Sequence, residues 1–587
     1  MTSFSGKVAS LIQRRRRKLA EDVGVVALLV AVILTPTLLA AAAIGVDISN
    51  WYMTAAKLQR TADAAALAGV TYMPGSPAVA DSTAKCTVNR NGFVVAGADA
   101  GCLTTTGANN RVPVTALTGA GIKRSQLRVT LTTTVKNFFG GVIGSPSQTL
   151  TRTSVADYQG PISMGSPCNT FGNEPVAGDG TGSVSSGCTS TPQFWANAAG
   201  PGSKKGNGDA FETRSCVSGN SGCSGTTNTD FDPRGQFYKV SVGAGSGPVN
   251  FQLFDPTMAE VGDTCTSNLP ASWTKDKPNT YSSKPGDAAA RYKSGSSSFC
   301  TGDHEFAANG TSAVTTFAVR SPSNSADPMS APIVPGCTQQ FKGWGGTVDF
   351  AKMLDNTNAA YNDDLAKSFR QWVSLCTISS PTVGDYYIQV RTNVPYNPGS
   401  AELNMNSPSD FPSVTWAGHN RFSMRVKAGS DPTKVAVAGA GRMVIYANAS
   451  GANTEFHLAR IGSAAAGKNL TINLFDTGDA SKAGTLTILP PAGSPALSEC
   501  AGLGAVSGSP GSPSTLSGCQ LTNVSNATYE GKTQVLVVRI PTTYTCDDRD
   551  PNACWFKIQF NFPSGTTVND TTSWWSALDG DPVRIVE

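Results

Sequence analysis

Twenty-four consecutive uncharged residues, 23–46 (VGVVALLVAVILTPTLLAAAAIGV), constrain this chain more than any other feature. At about 1.5 Å per residue, a helix of that length reaches roughly 36 Å, enough to cross a ~30 Å hydrocarbon layer with some tilt. Pro36 is tolerated in such a helix. Lys7, Arg14, Arg15, Arg16, Arg17 and Lys18 precede the run. By the positive-inside rule the N-terminus is expected in the cytoplasm and the bulk of the chain outside. Two processing alternatives stand beside a retained anchor. A secretory cut could fall within Ala40–Ala43, although the run exceeds the usual 7–15 residues of a signal core. A prepilin-type cut could follow Gly24, but Leu29 stands where prepilins place Glu.

Residues 47–71 contain no Pro and one Gly. Their small or apolar positions, taken from Ile44, are Ile44, Ile48, Trp51, Ala55, Leu58, Ala62, Ala65 and Gly69. The alternating spacings of four and three make a heptad seam, with Lys57, Arg60 and Asp63 off it. The membrane helix is therefore expected to continue outside. Its Ala/Gly seam would pack closely, either on the chain's own next domain or on a partner subunit.

The basic start, Gly24-Val-Val-Ala, Asp47 and the run Leu58-Gln59-Arg60-Thr61-Ala62-Asp63-Ala64-Ala65-Ala66-Leu67-Ala68-Gly69 resemble the TadE/TadG-like family. The resemblance runs over about residues 20–160 and takes in Asn91-Gly92, Phe138-Phe139 and two strand-like segments. It implies a membrane-anchored component of bacterial Flp (tight-adherence) pilus assembly or secretion machinery. Other pilus-assembly or secretion proteins, or minor pilins, would be its partners. Many TadG-like proteins carry an Asp-x-Ser-x-Ser metal site. Asp47-Ile48-Ser49 continues with Asn50-Trp51, so no metal-dependent adhesion role is carried over.

The net charge of +4 lies entirely in residues 1–46, and the rest is balanced. That balance argues against a nucleic-acid partner, which needs a basic face. Fourteen cysteines, all after the apolar run, fit disulfides in an oxidising compartment. Short loops close most readily, so neighbours are paired: Cys86–Cys102, Cys168–Cys188, Cys216–Cys223, Cys265–Cys300, Cys337–Cys376, Cys500–Cys519 and Cys546–Cys554. Beyond a Gly/Ser/Thr-rich stretch at 161–230, short alternating runs separated by turn residues predict β-sandwich strands. Residues 243–255 (GAGSGPVNFQLFD) and 462–476 (GSAAAGKNLTINLFD) form a weak repeat that suggests two related β domains.

Local chemistry is sparse. The three histidines, His304, His419 and His457, form no metal-binding helix motif. Phe475-Asp476-Thr477-Gly478 resembles an aspartic-protease turn, but Asp255 is followed by Pro256. Acidic loops offer Ca²⁺ candidates in Asp547, Asp548 and Asp550, in Asp476 with Asp479, and in Asp230 with Asp232. Solvated turns explain the same residues. Trp574-Trp575 suits either a sugar-stacking platform or a core.

The expected fold is multidomain and membrane-anchored: a single-pass N-terminal helix continues into a small α+β domain, followed by mainly β, sandwich-like extracytoplasmic domains. The divisions are a cytoplasmic tail at 1–22, a transmembrane helix at 23–46, the helix plus α+β domain at 47–160 and loops at 161–230. They continue as a β domain at 231–335, a helical insert with strands at 336–400 and a second β domain at 401–587. The expected role is non-enzymatic and structural in the bacterial cytoplasmic membrane, with the lipid bilayer as one partner. No small-molecule substrate is evident and no cofactor is expected beyond the Ca²⁺ candidates. The alternatives are a Ca²⁺-supported surface adhesin or glycan binder, and an anchored hydrolase.

Overall fold

A computed structural model describes residues 4–73, 77–95, 112–120, 125–158, 160–172, 194–216, 223, 225–260, 302–304, 313–322, 327–345, 349–369, 371–450, 454–506, 513–550, 552–563, 566–580 and 583–586. Helix α1, Phe4–Val70, is continuous through the apolar run and beyond it. Leu28, Ile33, Leu34, Leu38 and Leu39 all point outward, uncovered by protein. Such a band is long and apolar enough to cross a membrane.

Past the band α1 becomes part of a small α+β domain. Its other elements are α2 (Pro77–Arg90) and the strands β1 (Phe93–Val95), β2 (Val112–Ala120), β3 (Gln126–Lys136) and β4 (Ser147–Tyr158). Leu127, Val129 and Leu131 alternate inward along β3 and meet Leu58, Ala62, Ala65, Ala66 and Val70 of α1. Ala55 and Gly69 complete the buried outer seam. A Cβ at Gly69 would stand 2.5 Å from Leu127 Cδ2 and 2.6 Å from the Ala80 carbonyl oxygen. Only glycine lets α1, α2 and the sheet approach this closely. The seam thus packs on the chain's own domain, while Ile44 and Ile48 at its inner end stay exposed.

The rest is a β body. Its strands are β5 (Ser163–Gly165), β6 (Thr170–Phe171), β7 (Phe194–Ala199), β8 (Gln236–Val242), β9 (Val249–Phe254), β10 (Val314–Arg320) and β11 (Ile333–Lys342). Next come β12 (Trp372–Ile378), β13 (Gly384–Arg391), β14 (His419–Ala428), β15 (Val435–Ala440), β16 (Arg442–Ser450), β17 (Thr454–Arg460) and β18 (Asn469–Phe475). They continue with β19 (Gly484–Leu489), β20 (Cys500–Val506), β21 (Pro513–Thr515), β22 (Gln520–Val524), β23 (Thr533–Arg539), β24 (Trp555–Asn561) and β25 (Thr567–Leu578). A last strand, β26 (Val583–Ile585), leaves the body and pairs with β4 as the fifth strand of the small domain's sheet.

Two large sheets face each other across one core. Their orders are β11-β10-β13-β8-β15-β5-β17-β24-β19-β22 and β12-β9-β14-β7-β16-β25-β18-β23-β20-β21. Read outward from the middle, β8-β13-β10-β11 matches β17-β24-β19-β22, and β14-β9-β12 matches β25-β18-β23. The corresponding strands follow the same order along the chain. The body therefore contains an internal repeat of seven strands, carried by β8–β14 and by β17–β19 with β22–β25, the β20–β21 hairpin being an addition to the second repeat. The two Leu-Phe-Asp segments occupy equivalent places, ending β9 and β18, and both aspartates adopt positive φ, 53° at Asp255 and 56° at Asp476.

The repeat is arranged differently from the expected divisions at 335/336 and 400/401. β13 pairs with β8 and β10, and β14 pairs with β9, so residues 384–428 belong to the first repeat. Buried side chains from both repeats share a single cluster, including Phe251, Phe317, Phe456 and Trp574. The expected helical insert holds two short helices, Phe350–Met353 and Asp363–Ser368, before β12. The stretch read as loops at 161–230 also differs. β7 lies inside the second large sheet, and residues 209–213 are buried. Its polar residues bond internally: the Asp209 carboxylate accepts from the backbone N–H of Ala199, Phe211 and Glu212, and Asn228 Nδ2 donates to the Ala210 and Thr213 carbonyls.

Disulfides join Cys216 to Cys223, Cys337 to Cys376, Cys500 to Cys519, and Cys546 to Cys554. Cys86 and Cys168 are disulfide-bonded as well. Their expected partners Cys102 and Cys188, and the pair Cys265–Cys300, lie outside the described residues.

Candidate functional site

The point where α1 leaves its apolar band is the most elaborately built polar site on the helix. Asp47 follows the last uncharged residue directly, yet it is 3% exposed. Its carboxylate accepts from Phe138 N at 2.7 Å, Phe139 N at 3.1 Å and Gly140 N at 2.7 Å. These amides begin the short 3-10 helix Gly140–Ile143 in the loop between β3 and β4. Their free N–H groups and the local dipole favour an anion. One turn further along, Trp51 Nε1 donates to Asn137 Oδ1 at 2.6 Å, and Asn137 Nδ2 donates to the Ser145 carbonyl. A Cβ at Gly140 would come within 2.5 Å of that same carbonyl oxygen. The loop is thus clasped to α1 at the membrane boundary, with Phe138 and Phe139 facing outward. An open cleft beside it is lined by Leu39, Ala43 and Ile44 of the apolar band together with Phe139.

The next turns carry the motif residues. Gln59 Nε2 donates to Asp63 Oδ1 at 2.8 Å and to the Thr153 carbonyl of β4 at 3.2 Å. Leu58, Ala62, Ala65 and Ala66 are buried, whereas Ala64, Leu67 and Ala68 are half-buried. Gly24 lies within α1. The motif is therefore a helix-docking device: Asp47 and Gln59 bond to the β3–β4 loop and to β4, and the alanines permit close packing.

Residues 24–76 match the family model described as Tad, putative Flp pilus-assembly TadE/G-like. Over this segment the chain is similar to the TadE/G-like family. It contains Asp47, Trp51 and Gln59 but ends before the sheet they grip, so the match is narrower than the resemblance over about 20–160. No curated protein and no solved structure matches the chain. The TadE/G-like segment thus comprises the exposed apolar band together with the helix side of the clasp, Asp47 and Trp51.

Elsewhere, the acidic candidates separate into two kinds. Asp548 accepts from Ser463 N and Ser463 Oγ, Asp547 from Arg549 N, and Asp550 from Asn552 N, so each is committed to a turn. Cys546 and Cys554 beside Asp548 are bonded to each other and cannot serve as thiolate ligands. Asp230 pairs with Lys205 at 2.6 Å, and Asp232 with Arg234 and Arg442. Asp476 and Asp479, by contrast, converge with Asp570, whose part was not legible in the sequence. Trp574 is buried in the core, which removes it from any sugar-stacking surface, and Trp575 packs on Phe211.

His419 Nδ1 lies 2.8 Å from Asn197 Oδ1 in a buried position, and its backbone pairs with that of His304. His457 packs edge-on against Trp555, and burial beside Lys557 pushes its pKa down to about 4.

Glu212, also unmarked in the sequence, is buried beside Asp209 and Thr392. Its Oε2 accepts from Thr392 Oγ1 at 2.8 Å, while Oε1 has no hydrogen-bond partner. Burial, reinforced by the nearby Asp209 carboxylate, raises its pKa to about 8. Between its ordinary value near 4.5 and about 8, the folded state holds a proton that the unfolded state has released. Its contribution to stability is complete below the lower value, falls with rising pH and levels off above the upper one, with a slope of at most about 1.4 kcal/mol per pH unit. Glu212→Gln should shrink the loss of stability between pH 5 and pH 8. Chemical denaturation of both proteins at the two pH values measures it, and an identical loss in both would show that Glu212 ionises freely in the fold.

Proposed function

We propose that this protein is a non-enzymatic, membrane-anchored structural component of a bacterial Flp (tight-adherence) pilus or its secretion machinery. Its N-terminus would lie in the cytoplasm and its β body outside. The observation carrying this reading is the coincidence of the TadE/G-like segment with the apolar band and the Asp47 clasp. A helix locked to its domain at the bilayer surface holds a large body at a defined height and orientation, as a scaffold requires. The test is deletion in the native host, with surface pili counted by electron microscopy. Pili should disappear and return with the full chain. A second complement would replace residues 166–580 by a short linker, keeping β26 for the small domain. Rescue by it would assign the essential work to the helix and small domain, and failure to the β body. Undiminished piliation after deletion would overturn the proposal.

A further inference from the structure

We propose that Asp476, Asp479 and Asp570 bind a divalent cation of the oxygen-seeking class, Ca²⁺, at one corner of the second repeat. One carboxylate oxygen from each residue lies within 4.8 Å of the others. Two oxygens bound to a common Ca²⁺ at 2.3–2.6 Å can be no more than about 5 Å apart, so the three oxygens fit one ion. Asp476 and Asp570 are 2% and 1% exposed. Asp570 Oδ2 accepts from the N–H groups of Gly478 and Asp479, but Oδ1, equally buried, has no hydrogen-bond partner. A buried carboxylate oxygen without a donor is costly, and two neighbouring carboxylates add repulsion. Glu530 adds more negative charge, and no basic side chain forms an ion pair with the three among the described residues. Burial accordingly raises the pKa of all three, reinforced by Asp479 at Asp476 and Asp570, and by Glu530 at Asp476 and Asp479.

The first repeat supplies an internal control. Phe254 faces Ser423 as Phe475 faces Ser573, so the register makes Asp255 equivalent to Asp476, Asn420 to Asp570, and Arg421 to Thr571. At that corner Asn420, a neutral amide, donates to the Pro256 carbonyl and to Thr315 Oγ1, each at 2.8 Å, and its Oδ1 is likewise buried without a hydrogen-bond partner but carries no charge. The corner also holds Asp303, whose carboxylate accepts from Arg421 N at 2.8 Å and is stabilised by the Arg421 charge. The first repeat therefore sets one guanidinium beside two carboxylates, although burial and Asp255 still hold the Asp303 pKa above its ordinary value. The second places a third carboxylate opposite Asn420 and a threonine opposite Arg421. A bound cation replaces the missing positive charge. Asp479, only part-buried, leaves a side open for water ligands and entry.

The test uses the full chain in detergent, stripped with EGTA and titrated with CaCl₂. Readouts are thermal unfolding and luminescence of Tb³⁺ substituted for Ca²⁺, sensitised by the tryptophans of β25. The wild type should gain thermal stability with Ca²⁺ and show Tb³⁺ emission that Ca²⁺ displaces. Asp570→Asn, which copies the first repeat, should fold without Ca²⁺ and lose at least about tenfold in apparent affinity. A second variant, Asp479→Asn, lies outside the fully buried core and should weaken binding in the same direction. Absence of any Ca²⁺ effect on the wild type would overturn the proposal and leave the cluster to protons. So would equal affinity in the wild type and both variants, which would place the ion elsewhere.

Discussion

Replacing Asp47 by Ala should detach the β3–β4 loop from the helix without dissolving the small domain. The carboxylate is the acceptor for three consecutive amides, one of them buried. Charge-assisted bonds of this kind contribute more than neutral ones, and their loss leaves donors in a partly dry place. A local cost of about 3 kcal/mol corresponds to a roughly hundredfold drop in protection of the Phe138, Phe139 and Gly140 amides. Hydrogen exchange in detergent or nanodiscs reads this directly. Asp47→Asn, which retains one acceptor oxygen, should fall between the two. Unchanged protection in the Ala variant would mean that the loop holds its position without the helix.

Trp574→Ala should be the most damaging single substitution in the β body. The side chain is fully buried, with the rings of Phe456 and Phe560 each 6.0 Å away and its indole N–H donating to Thr572 Oγ1 at 2.9 Å. Truncating a buried tryptophan leaves a cavity and costs about 3–5 kcal/mol. Because one cluster of side chains spans both repeats, the whole body should melt together at a lower temperature. Calorimetry would contradict this if it showed two transitions with only one of them shifted.

What could be read from the sequence was local. The apolar band is contiguous, and the four-and-three seam of α1 follows from helix geometry once Ala55, Leu58, Ala62, Ala65 and Gly69 are aligned. Most strands of the body announced themselves through alternation. The Leu-Phe-Asp repeat marked the equivalent ends of β9 and β18. Partnership between distant segments was not legible. Nothing near Asp47 points to Phe138, and nothing near Asp476 points to Asp570, because sheet register brings them together. The polar stretch around Asn197, Asp209 and Thr213 read as loop because composition does not show whether polar groups bond to water or to one another. The expected cuts fall inside the first repeat for a related reason: β13 and β14 follow the two short helices in sequence yet pair with β8 and β9, which precede them.

The return of β26 to β4 has a mechanical consequence. The body is joined to the small domain by two covalent links, one after β4 and one after β25, and their strands lie side by side in the same sheet. A load tied by one tether can swivel about it, whereas a load tied by two resists twisting. Tension on the body would be divided between neighbouring strands and delivered through β3 and β4 to the helix. The sheet also gains its fifth strand only after the ribosome has made the whole body, so this coupling is completed last.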